Sequence, residues 1–252
     1  ALRGERFDAH DFLEKAVEQG ARAVVCQERV PGRGVAFLVP NTRQALLNLS
    51  AYYRQQFHPW MVAITGSVGK TTTKEMVYSV LSSQFKTMKT EGNLNNDIGV
   101  PATLFTLDHS MEAAVVELGM NHLGEIAALT RAVRPDIAIL TNIGVSHLEN
   151  LHTRNNILNA KLEILEGMRP DAPTLLNADN DLLSKIDVLE NHRILRFGIR
   201  NPQSDARAVD ITEKKNQTFF TIEYKGNQYH TVIPCVGEHN VLPAGGAPGN
   251  RR

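Results

Sequence analysis

At 252 residues, with 27 basic side chains against 27 acidic ones, the chain is long enough for one large or two modest domains and carries no global field that would draw nucleic acid or an anionic membrane. No apolar run approaches the roughly 18 residues of a membrane span, and the first residues lack a signal-peptide pattern. Cys26 and Cys235 are far apart in sequence, which argues for a reducing compartment and against a disulfide framework; a cytoplasmic protein is expected.

Residues 1–40 read as a small α/β unit, with a helix over Ala9–Gln19 and strands over Ala23–Cys26 and Val35–Val39. Asn41 is placed to cap a helix over Thr42–Gln56, with Ala45, Leu46, Leu49 and Tyr52 or Tyr53 on its apolar side. His58-Pro59 ends that helix, and a domain boundary is expected between 40 and 58.

The apolar run Met61–Ile64 then predicts a buried strand that breaks into Thr65-Gly66-Ser67-Val68-Gly69 before a helix over Lys70–Ser82. Glycines there let successive backbone N–H groups curl round an anion, and the helix start favours negative charge. Lys70 can reach the outer phosphates of a nucleoside triphosphate, and the Thr71 hydroxyl suits Mg²⁺. The loop is a compact G-x-x-G-K-T form, because Ile64, five residues before Gly69, belongs to the strand. A plain strand-to-helix turn would need glycine but not Gly-Lys-Thr-Thr at the helix start.

Helix and strand signals alternate from there, as in a doubly wound, mostly parallel α/β sheet. Strands are expected over Phe85–Met88, Ala113–Glu117, Ile137–Leu140 and Thr174–Leu176, and helices over Val100–Phe105, Gly124–Ala132 and Asn156–Gly167. From about Ile194 the period changes to two, with strands over Ala208–Thr212, Thr218–Tyr224 and Tyr229–Ile233; Lys225-Gly226-Asn227 makes the last two a hairpin. Ligands of such a sheet bind beyond the carboxyl ends of its strands. The glycine loop, Glu117 and the segment Asn142–His147 all follow strand ends, so a carboxylate and an imidazole should meet the phosphate site as ligands for a divalent cation, Mg²⁺ by default. Asn93, Asn95 and Asn96 are either turn formers or hydrogen-bonding partners of a polar substrate beside the phosphates.

Thr65–Thr72, Glu91–Pro101 with its Asn-Leu-Asn-Asn and Ile-Gly-Val-Pro, Glu117-Leu118-Gly119-Met120, Thr141–Gly144 with His147-Leu148-Glu149, and Ala160–Ile164 together resemble the Mur ligases. The form is most similar to the branch that joins D-alanyl-D-alanine to a UDP-N-acetylmuramoyl-tripeptide in peptidoglycan synthesis, and the likeness runs from Gly4 to about Leu242. The resemblance implies an ATP-dependent amide ligase, acting as a monomer, that makes an acyl phosphate which an amine then attacks. It implies that Gly66, Ser67, Val68, Gly69, Lys70, Thr71 and Thr72 hold ATP, that Asn240 in Gly-Glu-His-Asn lies against the adenine, and that Asn93, Asn95, Asn96 and Asn142 meet substrate. Thr71 and Glu117 would bind one Mg²⁺ and His147 a second, with Lys161 carbamylated as an anionic ligand; Lys70, His147 and Lys161 form the catalytic set. It further implies a partial uridine-nucleotide-binding domain over 1–57, the central ATP-binding domain over 58–242, a non-native or disordered tail over 243–252 and no C-terminal domain, so that the fragment alone is expected to be inactive. Rival readings are a folylpolyglutamate synthase, another Mur ligase, or a non-catalytic nucleotide-binding module.

Overall fold

The computed structural model describes residues 1–4, 6–28, 34–237 and 241–242; Asn240 and the 243–252 stretch lie outside the described residues. A 3₁₀ turn, Ala9–Phe12, leads into α1 (Leu13–Glu18), and β1 (Ala23–Cys26) pairs in parallel with β2 (Val35–Leu38). α2 (Thr42–Arg54) is capped as expected by Asn41, whose side chain accepts from the Gln44 amide at 3.0 Å.

The large unit alternates strand and helix: β3 (Trp60–Thr65), α3 (Lys70–Ser82), β4 (Thr87–Lys89), α4 (Gly99–Leu104), β5 (Ala113–Glu117), α5 (Glu125–Val133) and β6 (Ile137–Leu140). Two helices follow, α6 (Leu148–Leu151) and α7 (Arg154–Leu162), then β7 (Pro173–Asn177) and β8 (Arg193–Gly198). The chain closes on β9 (Ala206–Lys214), β10 (Gln217–Tyr224) and β11 (Asn227–Ile233). These strands form one nine-stranded sheet in the order β11-β10-β9-β8-β7-β6-β3-β5-β4. Every pair from β4 to β9 is parallel, and β9, β10 and β11 are antiparallel.

Alternation along the central strands explains their unbroken apolar runs. Met61 and Ala63 of β3, Ala114 and Val116 of β5, and Ala138 and Leu140 of β6 pack into one core with Leu104 of α4, Ile126 and Leu129 of α5, and Ile157 of α7. Val62, Ile64, Val115 and Ile139 point the other way, onto Val77, Tyr78 and Leu81 of α3. Both faces are covered, so neither side of these strands can be polar. A third cluster, Ala208, Phe220, Ile222 and Ile233, fills the hairpin end and meets α3 through Met76. The expected turn is present, with Lys225 (φ 50°) and Gly226 (φ 76°) both in the left-handed region that a two-residue hairpin needs.

Two expectations are corrected. Of the side expected to be apolar on α2, Leu49 and Tyr52 are 53% and 67% exposed, while the alternative Tyr53 packs on the core; Leu47, Ser50 and Arg54 are the buried positions. The Arg54 guanidinium sets that rotation by donating to Val133 O (2.8 Å), Phe57 O (3.0 Å) and Arg134 O (3.5 Å) at the end of α5. α2 therefore packs within the layer of the large sheet, although the sequence groups it with the N-terminal unit. The second correction is β8, a full strand between Leu176 and Ala208, where the sequence reading names none.

Candidate functional site

The loop between β3 and α3 approaches the end of β6 so closely that only glycine fits at Gly66: a Cβ there would lie 1.8 Å from Thr141 Oγ1 and 3.1 Å from Thr141 Cβ. Gly69, at φ 80°, turns the chain into α3 in the left-handed region where glycine carries no steric penalty. Hydrogen bonds lock the loop to the segment after β6. The Ser67 amide donates to Asn142 O (3.0 Å), the Val68 amide to Asn142 Oδ1 (2.9 Å), the Thr141 hydroxyl to Val68 O (2.6 Å) and the Gly144 amide to the Ser67 hydroxyl (2.9 Å). The N-terminus of α3 has no side-chain cap and no acidic residue in its first turn. Its opening N–H groups thus lack intrahelical partners and face outward with the positive end of the helix dipole, which suits an anion. Lys70 Nζ curls over the loop to Gly66 O at 2.9 Å; burial holds its pKa below the usual lysine value, with Glu117 opposing.

Glu117 is buried at the end of β5 with both oxygens engaged. The Thr71 hydroxyl donates to Oε2 at 3.0 Å and Asn95 Nδ2 to Oε1 at 2.9 Å, while Lys74 Nζ stands 3.7 Å from Oε2. A carboxylate and a hydroxyl this close, at the edge of an uncapped helix start, fit a hard divalent cation. Among the described residues no cluster of three His, Cys, Asp or Glu gathers, so such a cation would complete its shell with phosphate and water oxygens, as Mg²⁺ commonly does.

On the other side, His147 opens α6 from the left-handed region (φ 67°). Burial lowers its pKa, and Lys161 and Lys70 lower it further, against Glu149 and Glu125. Lys161 is 1% exposed, on α7, and burial followed by Lys70 pulls its pKa down to about 7. The charge of Lys70 is thus felt at both His147 and Lys161. Alongside, a cleft of about 700 Å³ runs past the ends of β6, β7 and β8, lined by Asn142, Asn177, Asp179, Asn180 and Asn201.

The Mur ligase middle domain is the family model that matches the sequence, over residues 64–247. The chain belongs to the Mur ligase family. It is 39% identical over 246 residues to the UDP-N-acetylmuramoyl-tripeptide--D-alanyl-D-alanine ligase of Bacillus subtilis, a match covering 96% of this chain and 52% of that protein. The fold is similar to a crystal structure of MurF from Acinetobacter baumannii, with TM-score 0.89 and 37% identity over 97% of this chain and 54% of that one. MurF ligase from Thermotoga maritima, solved in complex with ADP, also gives 0.89, at 29% identity over 97% of this chain and 57% of its own. The chain spans about half the length of the curated Mur ligase relatives it matches.

Of the residues that the sequence marks for a Mur ligase site, Gly66–Thr72 and Asn142 are hydrogen-bonded together at the loop, and Glu117 joins Thr71 to Asn95, while His147 and Lys161 are linked to Lys70 only through its charge. Asn142 uses its side-chain oxygen on the loop backbone. Asn96 Oδ1 accepts from the Ile98 and Gly99 amides (3.3 and 2.9 Å), which makes it the turn that starts α4. Asn93 is exposed on the same loop, and its carbonyl accepts from the Asn95 amide. Several residues at the site escape the sequence. Thr90 accepts the Glu117 amide at 3.0 Å, Asn177 Nδ2 holds Thr141 O at 2.8 Å, and the Asp179 carboxylate gathers the amides of Ile199, Arg200 and Asn201. The strand-end rule flags 177–180 as soon as β7 is placed beside β6. Lys74 has no such signal.

Proposed function

We propose that this chain carries the nucleotide-binding and phosphoryl-transfer part of an ATP-dependent amide ligase that joins D-alanyl-D-alanine to a UDP-N-acetylmuramoyl-tripeptide. The uncapped start of α3 after a glycine loop, with Thr71 of its first turn bonded to Glu117, is the observation that carries this reading. Amides of the loop and first turn, with Lys70, would hold the β and γ phosphates. Thr71 and Glu117 would hold Mg²⁺, which when bound neutralises charge as the phosphoryl group moves. A substrate carboxylate oxygen attacks the γ-phosphorus and ADP leaves; an amine then attacks the acyl carbon, phosphate leaves and the nitrogen gives up a proton, giving the amide. Lys70 stays with the transferring charge through the first step.

Lys161 fits carbamylation. An amine whose pKa is drawn down from 10.5 to about 7 has a substantial free fraction near neutral pH, and the free amine is the form that adds to CO₂, forming an N–C bond and losing a proton. The product places anionic oxygens where an ammonium would repel a cation, near His147 as its co-ligand. Asn93 and Asn95 offer hydrogen bonds to the peptide, and Asn240 is assigned to the adenine. Among the described residues no helix is long and apolar enough to cross a membrane. The free cysteines Cys26 and Cys235 agree with a cytoplasmic setting.

Titration calorimetry with Mg²⁺ and ATP tests the reading on this chain. Lys70→Ala is expected to weaken binding at least about tenfold, the effect of losing a charge-assisted contact to phosphate. Absence of binding in the unsubstituted chain, or equal binding in the variant, overturns it.

A further inference from the structure

Lys74 sits one helical turn beyond Lys70 on α3 and is wholly buried, a rare place for a lysine. Its ammonium donates to Gly92 O at 2.9 Å and lies 3.7 Å from Glu117 Oε2 and 3.6 Å from Glu75 Oε1. Gly92, at φ 52°, is a left-handed turn in the loop over residues 90–98. The same loop reaches Glu117 a second time, through Asn95 Nδ2 on Oε1, and Asn95 O takes the Gly119 amide at 2.8 Å. A Cβ on Gly119 would stand 2.8 Å from Asn95 Oδ1, so the loop lies directly on the chain after β5. Lys74 is therefore the one described side chain that hydrogen-bonds the Gly92 turn and also ion-pairs with Glu117.

We propose that Lys74 is a positioning residue that couples the 90–98 loop to the cation side of the phosphate site. One ammonium pins the Gly92 carbonyl and the Glu117 carboxylate to the helix whose first turn faces the phosphates. The loop that carries Asn93 and Asn95 is thereby ordered together with Glu117, and a cation taken up at Glu117 tightens it. The cation half of this inference rests on the nucleotide reading above; the tether half does not. A buried ammonium is a costly way to hold a loop that an apolar side chain could pack against, and that cost is explained if the loop must respond to what happens at Glu117.

Hydrogen exchange on this chain tests the tether without ligand. In Lys74→Met, the amides of Leu94, Asn95 and Gly119 are expected to exchange at least about tenfold faster while those of β3 and β6 keep their rates, the signature of a local opening. Unchanged exchange at those three amides overturns the proposal. Should that variant fail to fold, Lys74→Met/Glu117→Gln removes the unpaired buried carboxylate, and its comparison with Glu117→Gln alone isolates the Lys74 tether. Calorimetry with ATP, with and without Mg²⁺, supplies the second arm. The Mg²⁺-free affinity of Lys74→Met is expected to stay within about threefold of the parent chain, while the gain on adding Mg²⁺ is lost, since coupled sites share their binding free energy. A full Mg²⁺ gain in the variant overturns the coupling, because a merely structural lysine would leave that ratio untouched. If the parent chain binds no nucleotide, the ligase reading fails, and the exchange arm alone decides whether Lys74 holds the loop.

Discussion

Burial of an ammonium with no compensating carboxylate is unfavourable, and among the described residues Lys161 is in that position: the pKa of about 7, against 10.5 for a free lysine, has burial and Lys70 as its causes. Between those two values the unfolded chain binds a proton that the folded chain does not, so stability from this group rises with pH across that window and is flat on either side. Lys161→Met, similar in shape and uncharged, is expected to raise the melting temperature most at and below about pH 7, with the gain shrinking to nothing near pH 10. Melts of both proteins across that range, in CO₂-free buffer, check it; a gain independent of pH would mean that Lys161 is not held as an uncompensated amine. Neither Lys161 nor Lys74 was legible from periodicity, because a lysine in a helix reads as a solvated side chain whatever lies above it. Lys161 was reached only through the family resemblance, and Lys74 only through its contacts. Glu117 was legible, because a strand end has one direction and one neighbourhood.

At the scale of elements, α3 could be read to the residue: Gly69 fixes where the helix begins, and the apolar strand before it fixes where the turn begins. α2 was located but turned wrongly, since the anchor that decides its rotation is Arg54, a charged residue that pattern reading assigns to solvent. Arg54→Met is expected to destabilise the fold by about 2–4 kcal/mol, because three carbonyls lose their donor while the apolar stem is kept. A fall in the urea midpoint with an unchanged slope would report that loss; a change under about 0.5 kcal/mol, the range of an ordinary surface substitution, would show that α2 is held by Leu47 and its neighbours alone. β8 escaped the sequence for a related reason. Its Arg196 reaches back to Ile186 O and Asp187, so a strand side chain with a charged tip lies along the sheet instead of marking a loop.

For the whole molecule, the continuous apolar runs of β3, β5 and β6 foretold a sheet covered on both faces, but nothing local foretold that the hairpin end would join that same sheet. The join is narrow: only Phe197 and Gly198 of β8 lie opposite Ala206 and Arg207 of β9, whereas β7 and β8 pair from Pro173 to Asn177. The hairpin strands keep their own apolar cluster, tied to α3 through Met76. Native-state hydrogen exchange is expected to show β10 amides opening at lower free energy than those of β3 and β5, as a separate cooperative unit. Equal protection throughout would mean that the nine strands open as one.

The strand order has a consequence for how the molecule is made. β5 sits between β3 and β4, β6 takes the other edge of β3, and from β7 onward each new strand is laid beside the one synthesised just before it, always on the same side. A chain emerging from the ribosome in that order holds β3 and β4 unpaired until β5 is made, and once β6 has joined β3 it extends the sheet only at an edge already formed.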